Sequence, residues 1–199
     1  VPVPAADVSR DTPGTGRRAW RLGLACLAGW LAESLGTPDS RTVPGGGEYG
    51  DTLVLDYVGV GSRPLLLLCH YDTVWDAGTL ADWPFQINGS TAVGPGVFDM
   101  KAGLVQAAWA LRALRQHGLS RPPIRLLRNG DEELGSISSR PVIEAAADGV
   151  AAVLVLEPAS QGAVKTSRSG VGMWRVEVTG VEAHAGLDPI KGTSAIDEL

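Results

Sequence analysis

Four places in the chain put metal-ligand side chains directly after an apolar run or a tight turn. Leu65-Leu66-Leu67-Leu68-Cys69 leads into His70-Tyr71-Asp72, and the turn Gly94-Pro95-Gly96 leads into Asp99. The apolar run at residues 124–127 leads into Asp131-Glu132-Glu133, and Val153-Leu154-Val155-Leu156 runs into Glu157. Imidazole with several carboxylates is the donor set that a divalent metal of the zinc class takes. Cys26 and Cys69 are the only cysteines, so no thiolate cluster competes for it. Two ions bridged by a shared carboxylate polarise a carbonyl and acidify a water between them, so a hydrolase of this kind needs no serine or cysteine nucleophile.

Each of these residues also has an ordinary structural use. His70 suits a hydrogen-bonded surface histidine, Asp72 a turn former, Asp99 a helix N-cap and Glu157, before Pro158, a loop carboxylate. The acidic run 131–133 suits a solvated loop. Three adjacent carboxylates repel one another, and their pKa values rise unless something positive sits among them. The combination favours the chemical reading, because several strand-like runs end in a ligand type and open α/β sheets collect ligands at strand ends.

The elements that must hold these residues follow from periodicity. Residues 17–35 repeat apolar positions at helical spacing, with Trp20, Leu24, Leu27 and Leu31 on one face and Gly36 as a stop. Residues 52–58, 64–69, 124–127 and 150–156 read as strands, as do short runs near 85–87 and 91–93. Residues 99–117 and 138–147 read as helices. Residues 165–168 and 172–179 read as further strands, and Thr193 as the start of another helix. Residues 1–16, 44–47 and 70–84 read as loops. Strands alternating with helices, most of them continuous and apolar, imply an α/β fold with a mainly parallel mixed sheet flanked by helices.

The 199 residues suffice for one sizeable core, and 44% hydrophobic with 20% charged residues is a globular composition. A net charge of −5 argues against nucleic acid as a partner, and no apolar run has the length of a membrane span. The apolar stretch after Arg17-Arg18 carries Arg21 and Glu33, which suits a core helix better than a secretion signal. Two cysteines make no disulfide framework, so a cytoplasmic, reducing compartment is the default expectation. Without an initiator Met, and with Leu199 inside an apparent helix start, both ends read as cut.

Five ordered stretches carry a family resemblance. "HYDTVWDAGTL", "GPGVFDMKAG", "NGDEELGS", "LEPA" and "EAHAG" resemble, in order and spacing, the motifs of the glutamate carboxypeptidase and aminoacylase superfamily of dinuclear zinc peptidases. Within it they are most similar to bacterial glutamate carboxypeptidases of the folate-hydrolysing type, over roughly residues 17–199. The resemblance implies that residues 1–180 form the zinc-peptidase-like catalytic core and 181–199 begin a lid or dimerisation domain, so a homodimer is expected.

Carried over residue by residue, the resemblance implies that His70 ligates one zinc and Asp72 orients its imidazole. Asp99 bridges the two ions, and the peptide after it is expected to be cis. Glu132 is the general base for the zinc-bridged water. Glu133 ligates the other zinc, and Glu157 completes the first zinc's shell. His184 reaches into the active site, often a partner subunit's, to bind the substrate's oxyanion; from its surroundings alone it reads as a turn histidine. The second zinc's further His has no counterpart here, since His117 before Gly118 reads as a helix-capping cation. One of the ligands for two zinc ions is therefore expected outside this chain, and the chain alone is expected to be inactive.

The expected activity is hydrolysis of an amide bond beside a free carboxylate in a small peptide or N-acyl amino acid, releasing C-terminal glutamate. The alternatives are an N-acyl-amino-acid deacylase or dipeptidase on the same core, and a non-catalytic scaffold. A calcium loop is disfavoured, because the acids of 131–133 lack alternate-position spacing.

Overall fold

The computed structural model of the chain describes Leu31 and residues 35–76, 78–172 and 174–197. The lead-in at 1–16 and the helix expected at 17–35, apart from Leu31 and Leu35, lie outside the described residues. The chain divides into two compact units, Val1–Pro158 and Ala159–Leu199.

The first unit runs β1 (Asp39–Val43), β2 (Gly50–Tyr57), β3 (Leu65–His70), a helical turn α1 (Thr79–Asp82), the hairpin strands β4 (Gln86–Asn88) and β5 (Thr91–Val93), helix α2 (Ala102–Gln116), β6 (Ile124–Gly130), helix α3 (Arg140–Ala147) and β7 (Ala152–Val155). Five strands form one mixed sheet in the order β1-β2-β6-β3-β7. The pairs β1–β2 and β2–β6 are antiparallel, while β3 runs parallel to both β6 and β7.

The central strands are apolar on both faces, and the alternation of side chains divides them between two cores. Leu67 and Cys69 of β3 and Leu126 of β6 join Leu104, Ala108 and Leu111 of α2. Those helix positions are spaced i, i+4, i+7, which keeps them on one face. On the opposite face Leu66 and Leu127, both at 0% exposure, pack with Ala146 of α3. Each such leucine contributes about 1.5–3 kcal/mol of burial. At its C-terminus α2 closes with Gly118 at φ 64°, while the Leu119 N–H bonds to the Leu114 carbonyl.

Register places the site. Leu68 pairs with Leu127 on one side and Val155 on the other, and His70 pairs with Asn129. Three neighbouring parallel strands thus end together, with His70 in the middle, residues 131–133 on one flank and Glu157 on the other.

Several expectations are revised. β1 is a strand without a counterpart among the expected elements, because its exposed DSRTV sequence is specified by pairing with β2 rather than by a hydrophobic pattern. β7 reads like an interior strand, yet Val153, Leu154 and Val155 are 41%, 47% and 55% exposed, since it is an edge strand pairing with β3. In the second unit, the strands expected at 165–168 and 172–179 are absent among the described residues. An alternating pattern suits a half-buried surface but needs a neighbouring strand to pair with, and Trp174 is 91% exposed. Thr193 forms a bridge with Val181 instead of opening a helix, and the described residues beyond it form a turn.

Candidate metal centre

His70 closes β3 and is buried. Its backbone N–H points at the sulfur of Met100 at 3.0 Å. On the ring, Nδ1 lies 3.1 Å from the Asp72 carbonyl oxygen and 3.3 Å from Asp72 Oδ1. A proton on Nδ1 is directed at the Asp72 carbonyl, with the charge of the Asp72 carboxylate beside it, which leaves the Nε2 lone pair facing outward. Nε2 meets carboxylates only: Asp99 Oδ1 at 3.2 Å, Glu157 Oε1 at 3.3 Å and Glu132 Oε2 at 3.9 Å.

A lone pair facing three carboxylate oxygens is repulsive unless a cation lies among them. In the bare protein that cation is a proton. Burial works against it, but the Asp72 hydrogen bond and the charges of Asp72, Glu132 and Glu157 prevail and lift His70 to about 9. The same donors suit a divalent metal: one atom each from His70, Asp99 and Glu157 lies within 4.8 Å of the others. Nitrogen with carboxylate oxygen is the donor chemistry of the zinc class, so the residues present fit the ion that the sequence implies.

Asp99 lies in the wide turn Val97–Lys101 with φ −112° and ψ 103°, outside the helical range. Helix α2 starts three residues later at Ala102, so Asp99 does not cap it, and its side chain, 58% exposed, lies against His70 instead. The Asp99–Met100 peptide is cis, as the resemblance implied. Gly96 before this turn has φ 66°, and a Cβ there would also meet the methyl of the buried Thr73, so both backbone and packing favour glycine. Glu157 follows β7 and is held well above the usual carboxylate range by burial and a hydrogen bond to Asp99, with the His70 charge opposing.

The three consecutive acids do not share one environment: the repulsion read from their sequence acts on Glu133, whereas Asp131 departs from it. Asp131 is fully buried, and although burial alone would raise its pKa, hydrogen bonds from Ser139, Ser138 and Asn129 hold it below the usual range. Glu132 extends to the cluster. Glu133 is raised by burial first and by the carboxylates of Asp99, Glu132 and Asp72, against the charge of His70. The Glu133 carboxylate is not one of the three groups gathered with His70; its backbone N–H donates to Asp72 Oδ2 at 2.9 Å. The roles of Asp131, Asn129 and Ser139 were missed because the direction of a side chain in an acidic run leaves no mark in the sequence.

His184 belongs to the second unit. It is exposed in a turn, where its Nδ1 accepts from the Gly186 N–H at 3.1 Å and its carbonyl accepts from Asp188 N–H at 3.0 Å. His117 caps α2 at its C-terminus, and Cys69 is a core residue whose thiol points at the Leu127 carbonyl. Among the described residues no helix is long and apolar enough to cross a membrane.

Comparison with known proteins shows the family and the fold. The model of "Peptidase family M20/M25/M40" matches residues 66–189, which takes in His70, Asp99, residues 131–133, Glu157 and His184. Carboxypeptidase G2 of Pseudomonas sp. (strain RS-16) is 37% identical over 182 residues, covering 88% of this chain and 44% of that protein. A tripeptidase from Staphylococcus aureus superposes with TM-score 0.68 at 17% identity, covering 98% of this chain and 52% of that one. Human carnosine dipeptidase 1 gives TM-score 0.60 at 18% identity, covering 76% and 36%. The chain thus spans about half the length of these relatives or less. The matched segment holds the strand ends that gather His70, Asp99 and Glu157, and on that match the chain belongs to peptidase family M20/M25/M40.

Proposed function

We propose that this chain carries most of the metal site of a zinc-dependent hydrolase that cleaves an amide bond beside a free carboxylate and releases glutamate. The observation that carries the reading is the ring of carboxylate oxygens about His70 Nε2, at 3.2, 3.3 and 3.9 Å. The family match and the motif resemblance to folate-hydrolysing carboxypeptidases support the reaction class.

His70, Asp99 and Glu157 would hold one ion, and Glu133 with Asp99 would hold a second, with a further ligand outside this chain. When bound, the metal supplies Lewis acidity toward the scissile carbonyl and toward water. Asp72 keeps the His70 proton on Nδ1, so that Nε2 remains a donor. Glu132 accepts a proton from the attacking water at its carboxylate and returns it to the leaving amine. His184 would donate to the oxyanion of the substrate, and residues 181–199 would begin a lid through which two subunits pair.

The test is glutamate release from a folate-type or N-acyl-glutamate substrate by the full protein, with and without chelator. Chelator-sensitive release of glutamate is expected. Bound zinc with hydrolysis of other N-acyl amino acids or dipeptides but not of glutamate conjugates would move the activity to a deacylase or dipeptidase. Bound zinc with no hydrolysis of any of them would leave a scaffold.

A further inference from the structure

Asp131 is the first of the three consecutive acids and the one turned into the protein, at 0% exposure. Its Oδ2 accepts the backbone N–H groups of Ser138 at 2.7 Å and Ser139 at 3.0 Å, and its Oδ1 accepts from Asn129 Nδ2 at 3.2 Å. The same Asn129 nitrogen lies 3.0 Å from Ser139 Oγ and 3.3 Å from Ser136 Oγ. The Asp131 carbonyl oxygen accepts the Ser136 N–H at 2.7 Å and the Leu134 N–H at 3.3 Å.

The chain therefore leaves Asp131, makes the single turn Glu132–Leu134, passes through two left-handed residues and returns to the carboxylate it left. Those residues are Gly135 at φ 91° and Ser136 at φ 55°. A serine in that region persists only where its surroundings over-determine it, and two bonds do so: Asn129 Nδ2 donates to Ser136 Oγ, and the Ser136 N–H donates to the Asp131 carbonyl. The turn Glu132–Leu134 contains no buried residue, so packing does not hold it in place. Hydrogen bonds do that instead, converging on one buried acid whose desolvation is costly unless its acceptors are used. The outer end of the loop is held by the Glu133 N–H to Asp72 bond.

Resting on the hydrolase reading above, we infer that Asp131 is a positioning residue. Its buried carboxylate closes the loop 131–139 on itself and thereby sets where Glu132 and Glu133 stand relative to His70. This role is separate from that of Asp72, which acts on the imidazole.

Asp131→Asn keeps the shape of the side chain but turns one acceptor into a donor facing Asn129 Nδ2. In the full protein saturated with zinc, kcat for an N-acyl-glutamate is expected to fall roughly 10–100-fold with KM little changed. In the metal-free protein, the amides of Glu133, Ser138 and Ser139 are expected to exchange faster with solvent, while Leu126 and Leu127 in β6 are unaffected. The double variant Asn129→Asp with Asp131→Asn restores one acid and one amide across the contact, and is expected to recover most of the lost turnover.

Unchanged turnover with unchanged exchange in Asp131→Asn would overturn the inference. So would a loss of turnover with faster exchange throughout β6 that the double variant does not rescue, because that is a purely structural role. If the wild-type protein shows no turnover, the hydrolase reading falls, and exchange at Glu133 decides whether Asp131 holds the loop.

Discussion

Asp72 and Glu133, 61 positions apart, are joined by a hydrogen bond of 2.9 Å from the Glu133 backbone N–H to Asp72 Oδ2. The other oxygen of that carboxylate lies 3.3 Å from His70 Nδ1. One side chain therefore ties the end of β3 to the acidic loop after β6. It fixes the histidine ring and the backbone of a candidate ligand together.

Asp72→Asn tests that link. An amide turned toward His70 Nδ1 removes the carboxylate charge beside the ring proton and leaves only the residue 72 carbonyl to accept it, which weakens the tautomer that frees Nε2 toward Asp99 and Glu157. Zinc affinity is expected to fall roughly 10–100-fold, as is common when a group that orients a ligand is altered. Calorimetric zinc titration measures it, and unchanged affinity would contradict the orienting role.

Glu132→Gln separates proton transfer from metal holding. Bound zinc is expected to stay at the wild-type level, because His70, Asp99 and Glu157 are intact. Turnover is expected to drop by about 10²–10⁴-fold, the usual contribution of a positioned base. Metal analysis beside steady-state kinetics checks both, and retained turnover would remove Glu132 from the base role.

Asp99→Asn bears on the bridge. If Asp99 serves two ions, the full protein is expected to lose both together when the variant is dialysed against weak chelator. Loss of one ion with retention of the other would make Asp99 a terminal ligand.

Much of this site was legible in the sequence for one physical reason. Strands buried on both faces are written as continuous apolar runs, so β3, with His70 at its end, and the first four residues of β6 could be read directly. Glu157 after β7 was legible in the same way, although β7 turns out to be exposed at the sheet edge. The exposed strand β1 was not legible, because its only specification is backbone pairing with the next strand, β2, and its side chains carry no buried pattern. Neither was the inward turn of Asp131, which depends on backbone N–H groups that every residue carries. Alternation at 172–179 misled because side-chain pattern was present without a strand to pair with.

Tyr57 offers a test of the core independent of metal. Among the described residues its buried hydroxyl has no hydrogen-bond partner, and burial, partly countered by Arg121, raises its pKa from 10.0 to about 12. The folded state thus holds its proton where the unfolded state has released it. The stability linked to this group is present below pH 10 and is lost as pH rises toward about 12. Tyr57→Phe is expected to be neutral or stabilising by up to about 1 kcal/mol at pH 7 and to lose less stability than wild type between those pH values. Urea unfolding across the alkaline range measures this. Strong destabilisation of the variant at pH 7 would show that the hydroxyl is bonded.

The account rests on a metal at His70 Nε2, and the direct measurement is the ¹⁵N resonance of that nitrogen during a zinc titration. Nε2 is expected to give up its proton and shift to a saturating, metal-bound position that chelator reverses, while Nδ1 keeps its proton toward Asp72. An Nε2 that stays protonated and unshifted at saturating zinc would contradict the metal centre itself.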